Sequence, residues 1–389
     1  MSVHTFTVHR EYHKSMLPFI GYILGYENYN NLSRLNLSSN DCLHAKGLFK
    51  FIRSTNEMLA DCPIRCLRIS LIAERNMFSV SWVVNPYYLA TNDTLVNLFT
   101  EEYLDALPDK FTEFLETITI QPSLKDMGYY SDFLDFYKWK IGEVHSTYDF
   151  RPVVPPSYML KLLYRSFRPF RNEQLRAISN EDDGHYNYIT IKNKSLRVSF
   201  YDKERQCIDS CRPINVIQSA KGILRFEVQL FSDKTSKSWN DFTKNNRRLR
   251  EDNRRRTDYL LSDEFTENIL VDYYEKYFPK KPWHSLDRSK SIVNKAKVSK
   301  PIKELSAEFM KLIRLHDGTQ NAINHYSNKK PFLKVYDDIQ NKIGIAPYSI
   351  PCRDYATLGI KNTPTKCISS PYSTLKNTSG NRLTSRDSA

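Results

Sequence analysis

The sequence predicts an α+β protein: antiparallel sheet(s) backed by helices, with a helical module toward the C-terminal end. Three observations carry this reading. Short runs alternate apolar and polar residues with a period of two, longer stretches repeat apolar residues every three or four positions, and Pro, Asn and charged turns separate them. The strand runs fall into two sets with helices between, which leaves open two related halves.

Residues 1 to about 60 have no strong period and read only as a mixed start. Leu67–Ile72 and Phe78–Val84 alternate on either side of Glu74-Arg75-Asn76, the pattern of a β-hairpin, and Asn85-Pro86 closes the second strand. From about 91 to 118, Leu95, Leu98, Phe99, Leu104, Leu107, Phe111, Phe114 and Leu115 are spaced as on a helix. Tyr137 to Phe150 has strand composition and stops at Pro152, Pro155 and Pro156, after which Ser157 is placed to cap a short helix. Tyr186–Ile191, Leu196–Tyr201 and Ile223–Phe231 complete the strand set.

Beyond Trp239 the chain turns helical and charged. The expected blocks are an N-terminal α+β region at 1–130, a second core with a basic helix at 131–284, a linker at 285–301, a helical module at 302–350 and a disordered basic tail at 351–389. The module breaks at Asp317-Gly318-Thr319 and carries a second run near Phe332 to Ile343, which fits a helix-turn-helix reader, a dimerisation element or a packing element equally. The tail holds twelve Ser or Thr and six Lys or Arg with almost no periodic apolar residue.

Composition narrows the function. With 389 residues there is chain for about two or three domains. A net charge of +13 and a pI near 9.2 favour a polyanionic partner, nucleic acid before anionic membrane. Mean hydropathy is −0.55, no apolar run reaches the ~18 residues of a membrane span, and the early stretch Leu17–Tyr26 is broken by Pro18, Gly21 and Gly25. The expected compartment is the cytoplasm. Only 11 residues are glycine, and neither a phosphate-binding P-loop nor a dinucleotide fingerprint occurs, which argues against a P-loop helicase and a nicotinamide enzyme. The seven cysteines, Cys42, Cys62, Cys66, Cys207, Cys211, Cys352 and Cys367, are odd in number and scattered, as reduced thiols are. Cys62/Cys66 and Cys207/Cys211 share a spacing that four thiolates around a structural zinc would allow, but buried thiols packing as small hydrophobes is the plainer reading.

The most distinctive sequence is Asn193–Glu204, with Phe200-Tyr201-Asp202-Lys203 at its centre, followed by Leu224-Arg225-Phe226-Glu227-Val228. A strand ending Tyr-Asp-Lys and a strand reading Arg-Phe-Glu-Val resemble those of the replication initiators of rolling-circle plasmids and single-stranded-DNA phages. There the two strands lie side by side in the nicking domain, a relaxase-like or RRM-like core. Trp139–Phe150 resembles a third strand of that core. The likeness spans about 137–231, each motif is short, and their order and spacing carry it. One departure stands out: none of the nine histidines forms the His-x-His pair that marks many nicking enzymes.

The resemblance implies an origin-specific endonuclease and strand transferase that starts rolling-circle replication through a covalent protein–DNA link. Tyr201 is the implied nucleophile. An ordinary tyrosine hydroxyl has a pKa near 10, so Lys203, two residues on, would lower it or hold the phosphate. Glu227, Asp149 and His145 are the implied ligands of Mg2+ or Mn2+, and strand alternation puts His145 and Asp149 on one face. The implied partners are origin DNA, single-stranded or supercoiled, with host helicase and polymerase in the bacterial cytoplasm, no membrane, and room for a homodimer.

Plainer readings stand beside these. Tyr201 also fits a half-buried packing residue at a strand end, with Tyr186 or Tyr188 next in line as nucleophile. Glu227 fits a surface carboxylate paired with Arg225, and His145 a hydrogen-bonded strand histidine. Asp149 fits the start of a turn, and Glu204 a partner of Arg205. Lys244, Arg247, Arg248, Arg250, Arg254, Arg255 and Arg256 lie within thirteen residues and would track phosphates along one helix face, joined by Arg225; Glu251 and Asp252 allow internal pairing instead. The alternative to the enzyme is a non-catalytic DNA-binding protein, for single strands or duplex, whose sheet offers aromatic rings to bases. A membrane-surface protein fits the charge and leaves the motif strands unexplained.

Overall fold

The computed structural model describes residues 2–24, 48–49, 63–72, 75–93, 97–152, 154–167, 173–179, 186–278, 283–325 and 330–348. The fold is α+β. Two compact units interleave along the sequence: Met1–Tyr148, Lys194–Leu196 and Glu227–Glu267 make the first, and Asp149–Asn193, Arg197–Phe226 and the chain from Asn268 the second. This division cuts across the sequential blocks expected from composition.

In chain order the elements are β1 (Ser2–His13), α1 (Leu17–Ile23), β2 (Leu48–Phe49), β3 (Ile64–Ile72), β4 (Met77–Val84) and α2 (Pro86–Thr91). Then come α3 (Leu107–Ile118), α4 (Met127–Leu134), β5 (Lys140–Phe150), α5 (Pro156–Ser166), β6 (Gln174–Ser179), β7 (Tyr186–Lys192) and β8 (Leu196–Asp202). They are followed by α6 (Lys203–Asp209), α7 (Ile214–Ser219), β9 (Leu224–Leu230), α8 (Ser232–Phe242), α9 (Asn253–Leu261) and α10 (Asp263–Tyr277). The last are β10 (Trp283–Ser285), α11 (Leu286–Lys295), α12 (Lys300–Leu315), α13 (Thr319–Asn324), α14 (Lys330–Asp338) and β11 (Ala346–Tyr348).

In the first unit the strand order is β2-β3-β4-β1-β5-β9. The expected hairpin is present as β3 and β4, antiparallel with Ile72 opposite Met77. Asn76 turns it with a φ of 51°, a left-handed conformation that asparagine tolerates better than most residues. On β4 the period of two translates directly into burial: Phe78, Val80, Trp82 and Val84 face inward. They meet a knot of aromatic rings around the fully buried Trp139, whose indole is 6.4 Å from that of Trp82 and 5.3 Å from Phe133 and donates to the Phe133 carbonyl at 2.8 Å. The long helix expected over 91–118 is shorter. Pro108 sits in the first turn of α3, where its missing N–H costs nothing, and the chain before it forms α2 and a single 3-10 turn at Glu101–Tyr103.

β1 is the main element that periodicity does not reveal. Its pairing with β5 is antiparallel but slips twice, between Val3 and Thr5 and between Thr7 and Val8. The first slip adds His4 to β1 and the second adds Gly142 to β5, so on β1 the alternation kept by Phe6, Thr7, Val8 and His9 is too short and too offset from Val3 to mark the whole strand.

In the second unit β9, β8, β7 and β6 follow in that order, and Phe200 on β8 stacks on Phe226 of β9 at 4.5 Å. Phe278 and Phe167 pack against the same cluster. β5 stops at Phe150, ahead of Pro152 as expected, and Pro155 and Pro156 open α5, with Pro155 in the cap position expected of Ser157. The stretch 285–301, expected as a linker, contains α11. Leu286 and Val293 point into a helical core with Phe309, Met310, Ile313, Ile323, Val335, Tyr336 and Ile339, so the module begins near β10. Asp287, Arg288, Lys290 and Lys295 sit on the outer face of that helix, which is why composition alone resembled a linker. Residues 351–389 and Cys42, Cys62, Cys352 and Cys367 lie outside the described residues. Cys207 is buried and Cys211 exposed, both as free thiols.

The break at Asp317-Gly318-Thr319 is a tight turn between α12 and α13. Gly318 has a φ of 139°, and a Cβ built there would lie 3.3 Å from the Arg165 Cα of α5. The Arg165 guanidinium pairs with Asp317 at 2.5 Å, and Tyr164 bonds Asn321, so this turn is spent on packing against α5. Gly318→Ala is therefore expected to lower stability by about 1–3 kcal/mol in urea denaturation, through both strain and contact. Gly344→Ala, at a φ of 80° but facing open space, is expected to cost less, and equal effects would show that the contact with α5 contributes nothing.

Candidate functional site

In the first unit, three adjacent strands, β1, β5 and β9, bring His4, His145 and Glu227 together. One ligand atom of each lies within 4.8 Å of the other two. His145 Nδ1 is 3.6 Å from Glu227 Oε1, and His4 Nδ1 is 3.8 Å from Glu227 Oε2. Glu227 is only 4% exposed, and the Gln229 side-chain amide donates a short hydrogen bond to its Oε1. The two imidazoles are half-buried, and Thr5 Oγ1 lies 3.0 Å from His4 Nδ1.

The first β1 slip explains how His4 reaches this place. Val3 pairs with Ser146 and Thr5 with His145, so His4 and Thr5 together oppose a single residue. Such a two-against-one bulge turns the extra side chain out of strict alternation and re-aims it. His4 was not among the residues singled out in the sequence, because nothing in a single chain marks a bulge whose partner strand begins 136 residues later. Together two histidines from neighbouring strands and one buried carboxylate form a donor set that suits a divalent transition metal.

Tyr201 and Lys203 belong to the second unit. Tyr201 is 7% exposed at the end of β8, its ring 5.7 Å from that of Tyr188, whose hydroxyl is hydrogen-bonded to Ser199 at 2.8 Å. The Lys203 ammonium lies 6.0 Å from the Tyr201 ring centroid and donates to Gln206 Oε1 at 2.7 Å. Tyr188, Tyr201, Asp202, Arg205 and Gln206 line an open cavity of about 240 Å3. Asp202 caps α6 by accepting from the Arg205 N–H, and burial pushes its pKa up. Burial, with Tyr164 and Asp317 nearby, also raises the pKa of Tyr186, which makes that alternative nucleophile harder to ionise. Glu204 accepts from the Gly222 N–H, while Arg205 pairs with Asp209 at 2.9 Å, so the expected Glu204–Arg205 pair is replaced.

Two further expectations change. Arg225 is 0% exposed, and its Nε and Nη2 each lie 2.6 Å from an Asp149 carboxylate oxygen. A guanidinium buried in this way is out of reach of a phosphate backbone, and it gives Asp149 a structural partner in place of the metal expected there. The basic run is also not one helix. Lys244 follows α8, Arg247–Glu251 form a 3-10 turn, and α9 starts only at Asn253, capped by the Asp252 side chain on the Arg255 N–H. Asn253 holds this start in place by donating to the carbonyls of Tyr137 and Trp139 at 2.6 and 2.9 Å. Lys244, Arg248, Arg250, Arg254 and Arg255 are exposed. Arg256 instead donates to the Ile141 carbonyl at 2.9 Å.

Neither a family model nor a curated protein matches the sequence. Among solved structures, one described as a rolling-circle replication initiator protein from Geobacillus stearothermophilus is similar at a TM-score of 0.27 and 10% identity, over 55% of this chain and 64% of that one. The chain thus covers less than two thirds of that protein's length.

Two outcomes follow from the geometry. Mn2+ is expected to raise the melting temperature of the wild-type protein, and Glu227→Gln or His4→Ala to weaken its binding at least tenfold in a thermal-shift titration. An unchanged titration in both variants would remove these residues from the metal set. Asp149→Ala strands a buried guanidinium and is expected to cost about 3–5 kcal/mol of stability while leaving Mn2+ affinity unchanged.

Proposed function

We propose that this protein is a metal-dependent DNA-nicking and joining enzyme that initiates rolling-circle replication. The observation that carries the reading is the His4, His145 and Glu227 group on three adjacent strands. The Tyr-Asp-Lys and Arg-Phe-Glu strands, the net charge of +13 and the exposed Lys244, Arg248, Arg250, Arg254 and Arg255 support the same reading. The family's His-x-His pair places two imidazoles on one strand; here His4 and His145 supply two from neighbouring strands.

In this reading a divalent cation, when bound, would neutralise charge on the scissile phosphate. His4, His145 and Glu227 would hold that cation, and Gln229 fixes the carboxylate by donating to its Oε1. Two imidazoles with one carboxylate favour Mn2+ over Mg2+, which prefers oxygen donors and keeps its water. The Tyr201 oxygen attacks phosphorus and gives up its proton, the bond to the 3′ oxygen breaks, and that oxygen leaves as a hydroxyl after taking a proton. The products are a 5′-phosphotyrosyl link and a 3′-OH that a polymerase can extend. Lys203, two residues away, is the cation placed to hold the phosphate beside the phenol.

The test is a covalent-adduct assay with supercoiled DNA carrying the replicon's origin and Mn2+, resolved under denaturing conditions. Wild-type protein is expected to yield a DNA-linked peptide containing Tyr201. Tyr201→Phe is expected to abolish the adduct with DNA affinity unchanged within about twofold, because only the attacking oxygen is removed. Adduct formation by Tyr201→Phe would move the nucleophile elsewhere, and absence of nicking by the wild type with any divalent metal would overturn the reading.

A further inference from the structure

The C-terminal residue of α8, Phe242, is 57% exposed, although its ring is stacked on Tyr259 with centroids 4.0 Å apart and planes at 20°. Trp239, one helical turn earlier, lies 5.7 Å from Phe242 and 5.9 Å from Tyr259, so three rings from α8 and α9 form one nest. Trp239 is buried and Phe242 forms the open side. A large apolar ring held rigid by stacking yet open to solvent costs hydration free energy that a further flat ring would recover.

The charge around this ring is the second observation. The Trp239 indole N–H donates to the Arg250 carbonyl at 3.1 Å, which ties the 3-10 turn carrying Arg248 and Arg250 to the aromatic nest. Lys244 follows Phe242 by two residues, and all three cations are exposed. Between 241 and 256 the chain has seven basic residues against three acidic ones, Asp241, Glu251 and Asp252. Of these acids Asp252 is engaged in capping α9 and pairing with Arg255.

We infer that Phe242 is a base-stacking platform for single-stranded DNA, with Lys244, Arg248 and Arg250 on the adjoining phosphates. The inference rests on DNA as the partner and adds the strand form and the residue that reads it. Duplex bases are already stacked on each other and offer no free face, so the exposed ring discriminates for unpaired strand. The flanking cations act on either form, since phosphates carry the same charge in both.

The test uses the full chain without metal, so that cleavage plays no part, and measures anisotropy of a labelled oligothymidylate and of a labelled duplex of matched length. Wild type is expected to prefer the single strand. Phe242→Ala is expected to weaken that binding about five- to hundredfold while changing duplex affinity less than about twofold, and Phe242→Tyr to restore it. Arg248→Ala with Arg250→Ala is expected to lower both affinities and to reduce the salt dependence for the single strand by roughly 1.4 in log–log slope. Equal loss on both probes, no loss with Phe242→Ala, or capture by anionic vesicles in place of the oligonucleotide would overturn the inference. Tyr201→Phe keeps this stacking intact, so failure here and failure of the nicking reading give different results.

Discussion

A carboxylate that is 4% exposed is the constraint around which the first unit is arranged. Removing Glu227 from water costs several kcal/mol unless donors or a cation replace the lost hydration. Three side chains answer that need: the Gln229 amide on the same strand, His145 from β5 and His4 from β1. The last requires a bulge, which disturbs the β1–β5 ladder and is maintained only where the surrounding strands are otherwise well anchored. Here Phe6, Val8, Val80, Ile141 and Val144, all fully buried around the Trp139 cluster, provide that anchoring.

The same strand, β9, carries a second buried charge. Arg225, two residues before Glu227, is neutralised in bidentate fashion by Asp149. Ionic groups this deep are commonly retained to specify an arrangement rather than to add stability, since apolar residues of equal volume would pack as well. In the sequence Arg225 and Glu227 read as partners of each other on a solvated face. In the structure each is committed to a different strand segment, and a strand buried on both faces has no solvated side.

How much could be read in advance follows from this. The hairpin β3–β4 and the strands β7, β8 and β9 were legible as short runs of apolar and polar residues between turns, and β5 through its strand composition ahead of Pro152. His145 and Glu227 were legible as candidates through the short motifs around them. β1 and His4 were not, since the bulge at His4 offsets the short alternation that follows it and pairing with a strand that begins 136 residues later leaves no local trace. Nor was the division of the basic run, where Asp252 competes for the helix start and Trp239 holds the Arg250 carbonyl. Asp149 and Arg225 illustrate the general limit: alternation assigns a face, but partners are set by the chain that folds against it.

The central claim is that His4, His145 and Glu227 hold one divalent cation. Pulsed electron paramagnetic resonance of the Mn2+-loaded protein tests it most directly, because imidazole nitrogens bound to Mn2+ give resolvable nitrogen couplings. Two imidazole couplings are expected in the wild type, with one remaining in His4→Ala. A spectrum with oxygen ligands alone, unchanged by that substitution, would contradict the claim.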